Sequence, residues 1–361
     1  MSGFEMTGRL LQPARIALLG TGTVGSAVLA RLQRWQDGPL AAHLSLVHVA
    51  NTRHALSTPN GAVGDVLVQL QTASYAGALH DVERALTGPG MRIVVDATAS
   101  SQVTDMHPHW LAQGIHVVTA CKLGQGTSLA RWQAIQQGCL AGSTHYGDSA
   151  TVGAGLPLLR SIRALQAGGD RIHAIEGVLS GSLAWLFNHY DGLRPFSGFV
   201  REARDVGYTE PDPREDLSGE DVRRKLLILA RASGVALESE TVHVQSLVPE
   251  TLAKLPREAL DAALPELDQL LRERYAEAWK RGEKLRFIAR LQAGHQASVG
   301  LAALPSEHAL VGGGGTDNRV AIWSDRYPNQ PLVIQGPGAG AEVTAAALLD
   351  DVLKIQSGAC G

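Results

Sequence analysis

The N-terminal part of the chain alternates short apolar runs with stretches of helical spacing. Arg15-Ile-Ala-Leu-Leu19, Leu44–Ala50, Met91–Asp96 and Ile115–Thr119 are each apolar and end in glycine or polar residues. The first of these, Arg15–Leu19, has the unbroken apolar character of a strand buried in a parallel sheet. Ser26–Leu32 follows the first run with apolar positions at helical spacing. Strand, helix, strand, repeated over about 140 residues, predicts a doubly wound α/β sheet of Rossmann type. His145–Pro157 breaks the rhythm, and Ile172–Leu179 reads as a strand that opens a second domain. Residues 251–281 are amphipathic, with charges on one side, and predict a helical face covering a sheet. Leu285–Leu291 and Gln330–Gln335 read as further strands, and Ala341–Ile355 as a closing helix.

The junction after the first strand carries chemistry. Gly20-Thr-Gly22-Thr23-Val24-Gly25 sits between a strand and a helix. In that context glycines permit a tight turn and bring a pyrophosphate against free N–H groups at the helix N-terminus. The expected organisation is therefore a dinucleotide-binding domain over residues 1–150, completed by about 336–361, and a second α+β domain over 151–335. Thr98 and Ser100 follow the third strand, where hydroxyls face a cofactor crevice. Gly336–Gly340 forms a second glycine-rich turn before a helix, and Gly340 is a further cofactor candidate. The second strand ends in Asn51-Thr52-Arg53, with no acid for a ribose 2′-hydroxyl; Arg53 either meets a 2′-phosphate or is a solvated loop residue, and NADP(H) is expected to serve at least as well as NAD(H).

Composition changes little in this picture. The 361 residues are 45% hydrophobic and 19% charged, with a formal net charge of −3. That gives no electrostatic reason to expect nucleic acid. No apolar run reaches the roughly 20 residues of a membrane helix, and the N-terminus lacks the pattern of a signal peptide. Cys121, Cys139 and Cys360 are too few and too scattered for a disulfide framework, so a cytoplasmic place is expected. His107-Pro108-His109 is the nearest approach to a metal pair, but reads more simply as the cap of a helix start.

Gly207–Lys225 (GYTEPDPREDLSGEDVRRK) admits two readings. Ser218-Gly-Glu-Asp221 fits a capping box, and Asp221 and Lys225, four apart, fit a surface ion pair. Alternatively the same spacing points Asp221 and Lys225 together into a cleft. Lys225 would then exchange a proton, its pKa lowered by burial or by Lys122. Glu210 and Asp216 would meet the ammonium group of a substrate.

The segments VVDATASSQ, HVVTACK, TVGAGLP, GVLSGSLAWLF, GYTEPDPREDLSGEDVRRKLLILAR and PLVIQGPGAGAEVTAAALLDDVL, in this order, closely resemble the homoserine dehydrogenase family. The nearest likeness is to the dehydrogenase portion of bifunctional aspartokinase–homoserine dehydrogenases, and it runs from about Arg15 to Ile355. It implies NAD(P)-dependent interconversion of L-homoserine and L-aspartate 4-semialdehyde, in threonine, methionine and isoleucine synthesis. It also implies a homodimer formed through a second domain that binds substrate. Carried over by motif, Glu210, Asp216 and Asp221 are substrate-site acids, Gly181 is a further substrate-site residue, and Lys225 and Lys122, with Asp221, are the catalytic candidates, the lysines for proton transfer. Lys122, Thr98 and Ser100 also fall at the nicotinamide edge.

A monovalent cation, Na+ or K+, is implied at the backbone carbonyls of Val152, Ala154 and Leu156. The chain departs from the family at Ser149, where an acid is usual, and at Cys121, where Asn is usual. Neither an upstream aspartokinase domain nor a following ACT domain is expected, and feedback by threonine is expected to be weak. Two other readings carry different signatures: a semialdehyde dehydrogenase working through the Cys121 thiol, and a cofactor-binding regulator without turnover.

Overall fold

A computed structural model describes residues 12–57, 63–292 and 296–358, so Cys360 lies outside the described residues. The chain forms two compact units. One comprises Met1–Cys121, Ala134–Asp148 and Ala341–Gly361; the other comprises Lys122–Gln133 and Ser149–Gly340.

The first unit holds β1 (Ala14–Leu19), β2 (Leu44–Ala50), β3 (Ala55–Ser57), β4 (Arg92–Asp96), β5 (His116–Thr119) and β6 (Tyr146–Gly147). They lie in the order β3-β2-β1-β4-β5-β6. Only β3 runs antiparallel to its neighbour; the other four pairings are parallel. This is a Rossmann-type sheet. The strand order reverses between β1 and β4, which opens a crevice at the carboxyl ends of those strands. The apolar runs explain the strands: Ile16, Leu18, Leu19, Ile93, Val94 and Val95 are fully buried. β3 and β6, of three and two residues, are too short to leave a pattern in the sequence.

Helix α1 (Thr23–Trp35) follows β1, and α2 (Ser101–Ala112) follows β4. The expectation for His107-Pro-His109 is corrected here, because the pair lies inside α2 rather than at a helix start. Ser100 is the N-cap, its Oγ accepting from Val103 N at 3.3 Å. His107 is fully buried, its Nδ1 3.0 Å from the Tyr146 hydroxyl and its Nε2 3.2 Å from Asp96 Oδ2. No group of three or more potential metal ligands occurs among the described residues.

The second unit is built on a mixed sheet in the order β12-β11-β7-β9-β10-β8. Its strands are β7 (Ile172–Val178), β8 (His243–Val244), β9 (Glu283–Gln292), β10 (Gln296–Pro305), β11 (Asp317–Ser324) and β12 (Tyr327–Pro337). All pairings are antiparallel except β8 with β10. Helices α3 (Gly181–His189) and α4 (Glu220–Ala232) contribute Leu183, Leu186, Val222, Leu226 and Leu229 to a core shared with Phe287 and Leu291.

Residues 251–281 do not form one helix. Pro256 and Pro265 lack the N–H that a helix interior requires. The segment therefore divides into Glu250–Ala253, Arg257–Ala263, a 3-10 turn at Leu264–Leu267 and α5 (Asp268–Lys280). Its apolar face is nonetheless buried, with Leu252, Leu260, Leu264, Leu267 and Leu271 all in the core. No helix of the described residues is long and apolar enough to cross a membrane.

Candidate active site

On the first unit the β1–α1 turn is shaped by its glycines. Gly20 has φ +92°, and a Cβ there would meet Ala97 O at 2.8 Å. At Gly25 a Cβ would fall 1.9 Å from Gly20 O, so α1 crosses the turn in backbone contact. Gly22 has open space around it and is the N-cap of α1, bringing no side chain to the free N–H groups of Thr23 and Val24. An anion is the natural partner of such a helix start. Beside the turn lies a cavity of about 970 Å³, lined by Gly20, Gly22, Asn51, Arg53, Thr98 and Ser100 among others. The donor-rich turn, the volume and the cationic Arg53 together fit a dinucleotide. Asn51 is committed to the loop, with its Oδ1 accepting from Arg53 N and His54 N and its Nδ2 donating to Thr21 Oγ1.

Thr98 is held by a buried acid. Asp96 Oδ1 accepts from Thr98 N at 2.9 Å and from its hydroxyl at 2.6 Å, while Oδ2 accepts from Thr119 Oγ1 at 3.0 Å. Thr119 Oγ1 in turn accepts from Cys121 N at 2.8 Å. One carboxylate thus fixes the ends of β4 and β5. Sequence reading passed over Asp96 because it is the last residue of an apolar run. Cys121 is buried, with its Sγ 3.4 Å from the Thr104 hydroxyl.

On the second unit the sequence candidates converge. Lys225 is buried on α4, and its Nζ donates to Leu179 O at 2.6 Å and lies 2.9 Å from Asp221 Oδ2. Lys122 Nζ lies 3.3 Å from the other oxygen of Asp221. Burial pushes the Lys225 ammonium toward its neutral form; Asp221 opposes this and Lys122 adds to it, and the net pKa falls below the ordinary lysine value. Burial alone would raise the Asp221 pKa, but the two ammonium groups hold it well below the usual carboxylate range. Lys225 is thus the buried member of a pair whose Asp221 side chain is 44% exposed.

The expected capping box is also corrected. Gly219, in the left-handed region at φ +79°, is the N-cap of α4. Ser218 Oγ instead donates to Glu215 O and accepts from Glu220 N. Asp221 turns away from it to the two lysines.

Asp216 is bound at both oxygens: Oδ1 accepts from Ser182 Oγ at 2.6 Å and Oδ2 from Glu210 N at 2.8 Å. It fixes the Glu210 backbone against the start of α3, and the Glu210 side chain is exposed. Gly181 opens α3, next to the N-cap Ser180, whose Oγ lies 2.9 Å from Ser182 Oγ. Ser182 and the Leu179 carbonyl were missed in the sequence, although both lie within the GVLSGSLAWLF segment. Gly340 has φ +131° and immediately precedes the helix Ala341–Gln356. In the TVGAGLP segment Val152 and Ala154 are buried, and Ala154 has φ +51°. The Leu156 carbonyl accepts from Leu158 N at 2.8 Å, and Ser149 Oγ accepts from Arg160 Nε at 3.3 Å.

Comparison with known proteins agrees with this arrangement. The homoserine dehydrogenase family model matches residues 157–353, and the model of that family's NAD binding domain matches residues 20–138. A homoserine dehydrogenase of Emericella nidulans is 35% identical over 95% of this chain and 98% of its own length. The chain belongs to the homoserine dehydrogenase family. It is also 36% identical, over 95% of its length, to the maize bifunctional aspartokinase/homoserine dehydrogenase 2, of which it spans 38%. A Candida auris protein of unknown function, 34% identical, has the same structure over 95% of this chain and 98% of its own, with a TM-score of 0.87. The fold is shared with a putative homoserine dehydrogenase of Archaeoglobus fulgidus (TM-score 0.76, 23% identity, 95% and 99% covered).

Proposed function

We propose that this homoserine dehydrogenase family member interconverts L-homoserine and L-aspartate 4-semialdehyde with a nicotinamide dinucleotide, and that Lys225 moves the hydroxyl proton. The observation that carries the reading is the environment of Lys225. An ammonium has three N–H donors. Leu179 O and Asp221 engage two of them, which leaves one for a substrate oxygen. A bound nicotinamide dinucleotide would supply the hydride-accepting chemistry for the terminal carbon of homoserine. Neutral Lys225 takes the hydroxyl proton as the carbonyl forms; in reduction the ammonium returns it. Lys122 holds down the proton affinity of Lys225, and Asp221 keeps both lysines in place. Glu210, fixed through Asp216, meets the substrate ammonium group near the start of α3 at Gly181. Thr98, Ser100 and the Gly20–Gly25 turn hold the dinucleotide, and Arg53 selects the 2′-phosphate of NADP(H).

A monovalent cation would be held by the carbonyls of Val152, Ala154 and Leu156; carbonyl oxygens alone suit such an ion, and the Leu156 carbonyl, which accepts from Leu158 N, keeps a second lone pair. No step of the reaction is routed through a cation here.

Purified protein with L-homoserine and NADP+ should develop reduced-nicotinamide absorbance, and L-aspartate 4-semialdehyde with NADPH should consume it. Tight dinucleotide binding with no turnover in either direction would instead fit a regulator. A second copy of the chain is the proposed partner: β12 is an edge strand whose outer row of backbone groups faces away from β11. Sedimentation should give twice the mass of the chain, and a monomer at micromolar concentration would contradict this.

A further inference from the structure

Helix α4 carries a second buried cation that no part of the reaction uses. Arg231 lies about 9 Å along the axis beyond Lys225, and is 3% exposed. Its guanidinium donates to three carbonyls: Gln125 O at 2.6 Å, Thr127 O at 2.7 Å and Leu237 O at 2.8 Å. Two of these belong to the turn that begins at Lys122.

That turn is compact. Gly126 N donates to Lys122 O at 2.7 Å, and the Thr127 hydroxyl donates to Leu123 O at 2.6 Å. It also lies directly on α4: a Cβ on Gly126 would meet Lys122 O at 2.7 Å and Arg224 O at 2.9 Å. Arg131 Nη1 also reaches Leu123 O at 3.4 Å and the Thr127 hydroxyl at 3.3 Å, but the Lys122 ammonium itself meets Asp221 only through the 3.3 Å contact, and the Lys122 side chain is 34% exposed. An exposed ion pair of that kind is weak by itself.

We propose that Arg231 is a positioning residue that keeps the Lys122 ammonium beside Asp221, and so sets the acidity of Lys225 from a distance. A guanidinium buried among carbonyls is costly, and burial pulls its pKa down to about 10. Only its rigid fork reaches three carbonyls from two segments at once. The charged groups acting on Lys225 are Asp221, Lys122 and Asp216. Releasing Lys122 removes the like charge and leaves Asp221 to Lys225 alone, so Lys225 binds its proton more tightly. This inference rests on the reading of Lys225 as the base.

The test is the pH profile of kcat/KM for homoserine oxidation in the full chain. Lys122→Met should move the basic limb to higher pH by roughly one unit, the usual effect of removing an adjacent like charge. Arg231→Gln should move it the same way, Arg231→Lys less, and Arg231→Gln with Lys122→Met no further than Lys122→Met alone. Gly126→Ala, which lifts the turn and its Gln125 and Thr127 carbonyls off α4 while keeping the Arg231 side chain, should reproduce the shift if Arg231→Gln fails to fold. A Lys122→Met shift without one in Arg231→Gln or Gly126→Ala overturns the inference and leaves the reading of Lys225 standing, as does full additivity in the double variant. No shift in Lys122→Met overturns both.

Discussion

Asp96→Ala tests how the first unit is held together. The carboxylate is fully buried and accepts from Thr98 N, the Thr98 hydroxyl and the Thr119 hydroxyl, with His107 Nε2 at 3.2 Å. Each buried donor left without an acceptor costs about 1–3 kcal/mol. The two hydroxyls can turn to other acceptors and Thr98 N is only partly buried, so the sum should fall near 3–5 kcal/mol, as for other broken buried pairs. In a unit of this size 1 kcal/mol shifts Tm by about 2–4 °C. The first transition in scanning calorimetry should therefore drop by roughly 6–20 °C, while the transition of the second unit stays. Asp96→Asn, which keeps one acceptor, should lose about half as much. Dinucleotide affinity should fall as well, because Thr98 loses its anchor. A shift under about 2 °C in Asp96→Ala would mean that the network is replaced by water at little cost, and would refute the reasoning.

Two further substitutions probe the cofactor side. Arg53→Ala should lower kcat/KM for NADP+ by roughly tenfold or more through the lost charge-assisted contact and leave NAD+ nearly unchanged; equal losses for the two would remove Arg53 from 2′-phosphate recognition. Cys121→Ser should retain turnover within a few-fold, since the thiol is buried with its Sγ beside the Thr104 hydroxyl; abolished turnover would favour a thiol mechanism.

The parts of the fold legible in the sequence were those where burial and local chemistry agree. β1, β2, β4 and β5 are apolar runs buried on both faces, and the glycine turn stands where strand meets helix. β10 and β11 were missed: β10 alternates Ala297, Val299 and Leu301 with small residues, which give a weak period-two signal, and β11 follows the Gly312–Gly315 run. The site residues were legible by type but not by partner. Asp221 and Lys225 are four apart on a helix in either reading, and only the tertiary structure shows that Lys225 is buried against Leu179 O. Ser218 looked like a helix cap because the motif is local, whereas Gly219 takes the left-handed turn that actually starts α4. Arg231 and Asp96 act through carbonyls and hydroxyls distant in sequence, which no spacing rule reveals.

The measurement that bears most directly on the account is Lys225→Ala, with kcat for homoserine oxidation followed across pH beside thermal unfolding. Loss of a general base should lower kcat by roughly 10²–10⁴-fold and abolish the rise of rate with pH. Tm should change little, because the removed ammonium was itself costly to bury and Asp221 keeps Lys122. Wild-type turnover with an intact basic limb in Lys225→Ala would contradict the account and return Lys225 and Asp221 to a structural role.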